Sequence, residues 1–222
     1  MAEIADKPKI HEINRFTMFT AAPGVEGKQS RLAWCVRDGQ PRITVYTNIP
    51  SDASNMYGIL SANMNPETFF VFLDELEKIA LGQSNVKRAL TCYTSFRQEN
   101  GSYGEKKLMS KLLFGKDENG MVWLSVVAEN RPKIKFEIKF SDWHELLLED
   151  GTSPPASELS VAQTLAICKA MRVIYARLVS EFRQPKPFTN NRAGAGSTDK
   201  PFTKSNPPTS TLDFASLDDI AF

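Results

Sequence analysis

The chain has 222 residues, 41% of them hydrophobic, enough for one sizeable core or two fused small ones. Its 27 Lys and Arg stand against 26 Asp and Glu, so the net charge of +1 excludes a uniformly basic coat, and any nucleic-acid surface must come from how charge is distributed. Cys35, Cys92 and Cys168 are odd in number without a CxxC spacing, and the start MAEIADKPKI lacks the apolar run of a signal peptide. No stretch approaches the ~20 apolar residues of a spanning helix. The expectation is a reducing, cytoplasmic setting without membrane insertion.

In chain order, strand patterns are predicted over Ile10–Thr20, Arg31–Arg37 and Arg42–Thr47, with Asp38-Gly39 as a hairpin signal, and a further short one over Tyr57–Ala62. Asn65 then suits an N-cap and Pro66 the first helical position. Phe69, Phe72, Leu73, Leu76 and Ile79 or Ala80 follow at helical spacing until Gly82. Four more strand patterns come next: Val86–Arg97, Lys106–Phe114, Met121–Ala128 and Lys133–Phe140, with Asn119-Gly120 as a turn. The last alternates strictly, placing Ile134, Phe136, Ile138 and Phe140 on one face and Lys133, Lys135, Glu137 and Lys139 on the other. After Pro154-Pro155, the stripe Val161, Leu165, Cys168, Met171, Tyr175, Leu178, Phe182 predicts a second helix, with Pro185 beyond its end.

From Pro185 to Thr211 the composition turns to Pro, Gly, Asn, Ser and Thr, too poor in apolar surface to offset an ordering cost of ~1–2 kcal/mol per residue. The predicted organisation is a body over 1–184, a disordered linker over 185–211 and an acidic-hydrophobic tip over 212–222. The fold class is α+β: two β-β-β-β-α units with antiparallel sheets and two amphipathic helices, with an OB-like barrel carrying added helices as the alternative. The element order resembles the Whirly and PUR families of single-stranded nucleic-acid binders. That resemblance implies sheets that carry the strand and helices that cover the opposite face.

The charges separate along the chain. Between Lys87 and Lys116 seven Lys and Arg face two Glu, whereas Asp142, Glu145, Glu149, Asp150 and Glu158 fall between Ser141 and Ser160 with no Lys or Arg among them. Strict alternation puts Arg31, Arg42, Tyr46, Lys87, Tyr93, Arg97, Lys107, Lys111, Trp123, Lys133, Lys135 and Lys139 on the wet face, and Trp34 and Phe96 in the core. Tyr103, in the segment Gln98–Gly104, is placed to fold over a bound strand. Cations interleaved with rings suit a sequence-tolerant single-strand site, because Lys and Arg neutralise phosphates and an exposed ring stacks on any base for ~1–3 kcal/mol. Taken singly, an exposed lysine on an amphipathic strand is ordinary solvation; the argument rests on the set.

The ending Leu212-Asp-Phe-Ala-Ser-Leu-Asp-Asp-Ile-Ala-Phe222 resembles the C-terminal tip of bacterial and phage single-stranded DNA-binding proteins. Asp213, Asp218 and Asp219 are the acids, and Leu217, Ile220 and Phe222 the apolar anchors. Ala221 departs from the proline usual in that ending, which puts partner choice in doubt. A terminal Phe can enter an apolar pocket while its α-carboxylate pairs with a cation, and the tethered acids can also occupy a basic face of their own body.

Catalytic readings find little to build on. His11 and His144 make no metal cluster, Ser84-Asn-Val-Lys87 lacks companion motifs, and no Walker A motif is present. The carboxylates Asp142, Glu145, Glu149 and Asp150 are the one nuclease candidate. The expected function is therefore non-enzymatic and needs no cofactor: binding of single-stranded DNA largely independent of sequence, with replication or recombination proteins recruited by the tip. The alternative is a cofactor that brings a phage RNA polymerase to melted promoters. Phage origin would place the chain in a bacterial host's cytoplasm, and homo-oligomers are compatible with exposed strand edges.

Overall fold

The computed structural model describes residues 18–21, 29–37, 39–49, 52, 58–95 and 102–181. Among these residues eight strands and two helices follow one another: β1 (Met18–Ala21), β2 (Ser30–Arg37), β3 (Gln40–Tyr46), β4 (Ile59–Asn63), α1 (Pro66–Leu81), β5 (Val86–Thr94), β6 (Lys107–Lys116), β7 (Val122–Val127), β8 (Phe136–Glu137) and α2 (Ala156–Glu181). The strands form two antiparallel four-stranded meanders, β1-β2-β3-β4 and β5-β6-β7-β8. Among the described residues neither sheet closes on itself, so the barrel alternative is set aside.

Local chemistry explains the elements. The Asn65 side chain accepts a hydrogen bond from the Thr68 N–H at 2.8 Å, and Pro66 opens α1 where no amide donor is required. The turns the sequence marked at Gly39 and Gly120 have φ of +72° and +78°, the left-handed region that glycine enters without strain. At Pro154-Pro155 the chain turns into α2, where the Leu159 N–H bonds back to the Pro155 carbonyl.

One core joins the two sheets and the helices. Trp34 and Ile43 from the first sheet, Phe69 and Phe72 from α1, Phe114 and Leu124 from the second sheet, and Met171 and Tyr175 from α2 belong to a single apolar cluster. Trp34 stands 5.7 Å from Phe72, and Phe72 meets Phe114 edge-on at 5.1 Å. Polar ties complete it. Ser160 at the start of α2 accepts from the Val122 N–H, and the Tyr175 hydroxyl donates to the Gly39 carbonyl at 2.8 Å. Contrary to the expectation from runs of consecutive apolar residues, Ala156–Arg177 is by length and composition apolar enough to cross a membrane. In this fold its Ile167, Cys168, Met171 and Tyr175 are buried in the core instead.

Several boundaries differ from those the sequence predicts. Only two residues of the run Lys133–Phe140 join a ladder, although the alternation survives: Phe136 and Ile138 are buried and Lys133 and Lys139 exposed. The run lies at the sheet's edge, where the neighbouring β7 offers a partner only near Trp123 and Leu124. The predicted strand over Ile10–Thr20 is described only from Met18, and Tyr57, Phe96, Arg97, Phe182, the linker and the tip lie outside the described residues.

Candidate nucleic-acid interface

Register assigns each sheet an inward and an outward side. In the first sheet Leu32, Trp34, Ile43, Val45, Leu60 and Ala62 point to the core, which leaves Arg31, Arg42, Thr44, Tyr46, Ser61 and Asn63 on the other side. Arg31 pairs directly with Tyr46, and the Thr44 and Ser61 hydroxyls lie 3.1 Å apart across the ladder. Arg31 is exposed, and Arg42 and Tyr46 are half-buried. The middle of this face is shielded, since Ala33, Cys35 and Thr44 are buried, and its open positions are therefore near the strand ends.

In the second sheet Leu90, Leu112, Phe114, Leu124, Val126 and Phe136 fall on the helix side. Lys87, Tyr93, Lys111, Trp123 and Glu137 fall on the outward side by the same ladder. Tyr93 is 61% exposed and Lys87 is exposed, so a ring and a cation reach solvent together on β5. Tyr103 is 74% exposed. Lys107 and Lys133 are exposed as well.

Four expectations need correction. Trp123 does lie on the outward side, yet only 2% of it is exposed. Its ladder partner Gly115 has no side chain, and a Cβ there would come within 2.9 Å of the indole, so the ring lies in the space glycine leaves and is no open stacking platform. Lys107 is out of phase with Lys111. The register slips by one residue at Cys92/Tyr93, so Lys107 pairs with Thr94 while Tyr93 pairs with Leu108. Lys135 and Lys139 have acidic partners: Lys135 bonds Asp117 at 2.7 Å, and Lys139, although exposed, lies 3.3 Å from Glu137. Burial pushes the Asp117 carboxyl up, but Lys135 and backbone amides outweigh it and hold the group below its ordinary range, ionised as the pair requires.

The charge count over Lys87–Lys116 also overstates the outward face. Lys116 turns inward and donates to the Ala80 and Gly82 carbonyls at 3.0 Å, capping the negative end of α1. Arg88 is on the same side, 3.9 Å from Glu75.

A recess of about 280 Å³ opens where the first sheet meets the second, lined by Gln40, Asn63, Asn65, Cys92, Tyr93 and Met109. The free edge of β4 reaches the second sheet here, and the Ser110 hydroxyl donates to the Ser61 carbonyl at 2.8 Å. Burial pushes the Cys92 thiol up, so it lines the recess as a neutral, weakly polar group. Amides that both donate and accept, beside an exposed phenol and a thioether, suit the edge and face of an unstacked base. The sequence reading missed Gln40, Asn63 and Met109. A bulge cannot be read from alternation, and it is at this bulge that β6 presents Met109.

Among the described residues no three His, Cys, Asp or Glu side chains gather as a metal site, and Asp142, Glu145, Glu149 and Asp150 are separately exposed. Comparisons with protein-family models, curated proteins and solved structures give no match.

Proposed function

We propose that the chain is a single-stranded DNA-binding protein, non-catalytic and largely independent of sequence, which protects unwound strands and recruits replication or recombination proteins through its C-terminal tip. The observation that carries this reading is the outward side of β5 and β6. Lys87, Tyr93 and Lys111 share it, while both helices pack on the inward side. Cations there neutralise phosphates, and the exposed Tyr93 ring stacks on a base without reading its identity. Arg31, Arg42 and Tyr46 offer a second patch of the same chemistry, and the recess beside Tyr93 accepts one base turned out of the stack.

On this reading the two units of four strands and a helix belong to the Whirly or PUR type. The tip acts through Phe222 and its α-carboxylate, with Asp213, Asp218 and Asp219 steering toward a basic partner and Leu217 and Ile220 adding apolar contact.

Titration of fluorescent single- and double-stranded oligonucleotides with the full chain tests the proposal. The expected result is preference for the single strand, affinity that falls steeply with added salt, and weakening by about 5- to 150-fold for Tyr93→Ala, the equivalent of ~1–3 kcal/mol. A chain ending at Gln184 should bind as tightly or more tightly. Salt-independent binding, or equal affinity for duplex, would overturn the proposal.

A further inference from the structure

Away from the basic strands, the segment between β8 and α2 exposes a large apolar group. Trp143 is 91% exposed, and the consecutive Leu146, Leu147 and Leu148 are 49%, 53% and 48% exposed. Single exposed leucines are ordinary, but an indole and three leucines within six positions form a patch of the kind that marks an interaction surface. The segment is a built turn. The Gly151 N–H bonds the Leu148 carbonyl at 2.9 Å, the Leu148 N–H bonds the Thr152 carbonyl at 2.8 Å, and the Asp150 carboxylate accepts from both the N–H and the hydroxyl of Thr152. At its start the His144 ring lies 2.8 Å from the Ser141 hydroxyl.

Charge selects what covers this arm. Asp142, Glu145, Glu149 and Asp150 bracket the apolar residues, with no Lys or Arg between Ser141 and Ser160. Two arms therefore repel each other, and the fitting partner is a surface of positive charge. The chain itself carries one. Among the described residues β5 is a nine-residue strand bonded on one side only, with Lys87, Arg88 and Ala89 exposed in succession. An open edge of that length is a template for pairing with another chain.

We propose that the Ser141–Ser153 arm of one copy docks on the β5 edge of a second copy. Arm and edge are different surfaces, so the contact is head to tail, each copy uses one of each, and the assembly grows into a ring or a row. Self-association of this kind needs no nucleic acid; because it would occupy Lys87 of the proposed strand-binding face, it is tested without nucleic acid, so that its failure and the failure of the function proposed above are distinguishable.

Sedimentation velocity of the full-length chain without nucleic acid tests it. The unaltered protein is expected to be oligomeric. An arm variant, Trp143→Ser with Leu147→Asp, and an edge variant, Lys87→Glu with Ala89→Glu, should each sediment as monomers. Their equimolar mixture should form a heterodimer, because the intact edge of one meets the intact arm of the other. A monomeric unaltered protein, an arm variant as oligomeric as its parent, or a mixture that stays monomeric overturns the proposal. Should either charged variant fail to fold, Leu146→Cys mixed with Ala89→Cys replaces it. With Cys92 replaced by Ser in both variants, a bismaleimide should link that pair into a dimer that neither variant forms alone, and no such dimer means no such contact.

Discussion

β3 and β7 occupy equivalent places, each the third strand of its sheet, and they treat outward side chains differently. β3 keeps the alternation of its sequence: Ile43 and Val45 are buried while Arg42 and Tyr46 remain half-accessible. In β7 all six residues are buried, Trp123 and Ser125 on the outward side included. The period of two fixes which way a side chain leaves the strand, whereas what lies above it decides whether solvent arrives. Trp123 and Tyr93 show the consequence, since both leave the sheet outward and only Tyr93 offers a ring to a ligand.

The largest expected effect breaks that contrast directly. Trp123→Ala should cost about 3–5 kcal/mol in urea unfolding, as for other buried aromatic truncations, while Tyr93→Ala should stay within about 0.5 kcal/mol. Equal costs would mean that the two rings are equally exposed. Close behind is the pair that ties the ends of the two strands. Thr47, just after β3, donates to Asp52 at 2.5 Å, and Asp52 is bridged to Arg131, beyond the end of β7, with both charged side chains buried. Asp52→Asn should cost about 3–5 kcal/mol at neutral pH because Arg131 is left buried without its counter-charge.

The pH dependence of that pair has a definite sign. Burial raises the Asp52 pKa, but Arg131 and the Thr47 hydroxyl more than offset it, and the carboxyl ends below its ordinary value of 3.8. Its contribution is therefore complete above that value and lost as the pH falls through the lower folded-state pKa. The stability difference between the unaltered chain and Asp52→Asn should be flat from pH 7 to about 5 and shrink below about 4. The smallest effect sharpens the account of Trp123. Gly115→Ala drives a Cβ into the Val86 carbonyl oxygen as well as against the indole, and the backbone cannot yield as a flexible side chain would. A loss of about 1–3 kcal/mol is expected, with Trp123 fluorescence shifted to the red as the ring is displaced toward water.

Much of the scaffold was legible because local chemistry decides it. Asn65-Pro66 started α1 as predicted, Gly39 and Gly120 sit in their turns, and the inward faces of β2, β3 and β6 follow from alternation. The candidate interface was legible in part. Arg31, Arg42, Tyr46, Lys87, Tyr93 and Lys111 stand on the expected side, but Lys116 is committed to the end of α1 and Lys135 to Asp117, and Arg88 leaves the sheet on the helix side, 3.9 Å from Glu75. A sequence count of lysines cannot separate a cation facing water from one facing a helix terminus. The Ser141–Ser153 arm was legible only through its carboxylates, as a nuclease candidate, because its apolar residues match neither the helical nor the strand period and nothing local says that Trp143 is left uncovered.

What the sequence determined by itself is the set of elements, their order and the direction each side chain leaves them, since caps, turns and periodicities act over a few residues. The tertiary structure alone decided which outward residues stay outward in effect. The β-bulge that puts Lys107 out of phase, the glycine that makes room for Trp123, and the helix end that takes Lys116 are set by neighbours distant in sequence or across a ladder. Exposure is a property of the packed assembly, and no residue carries it alone.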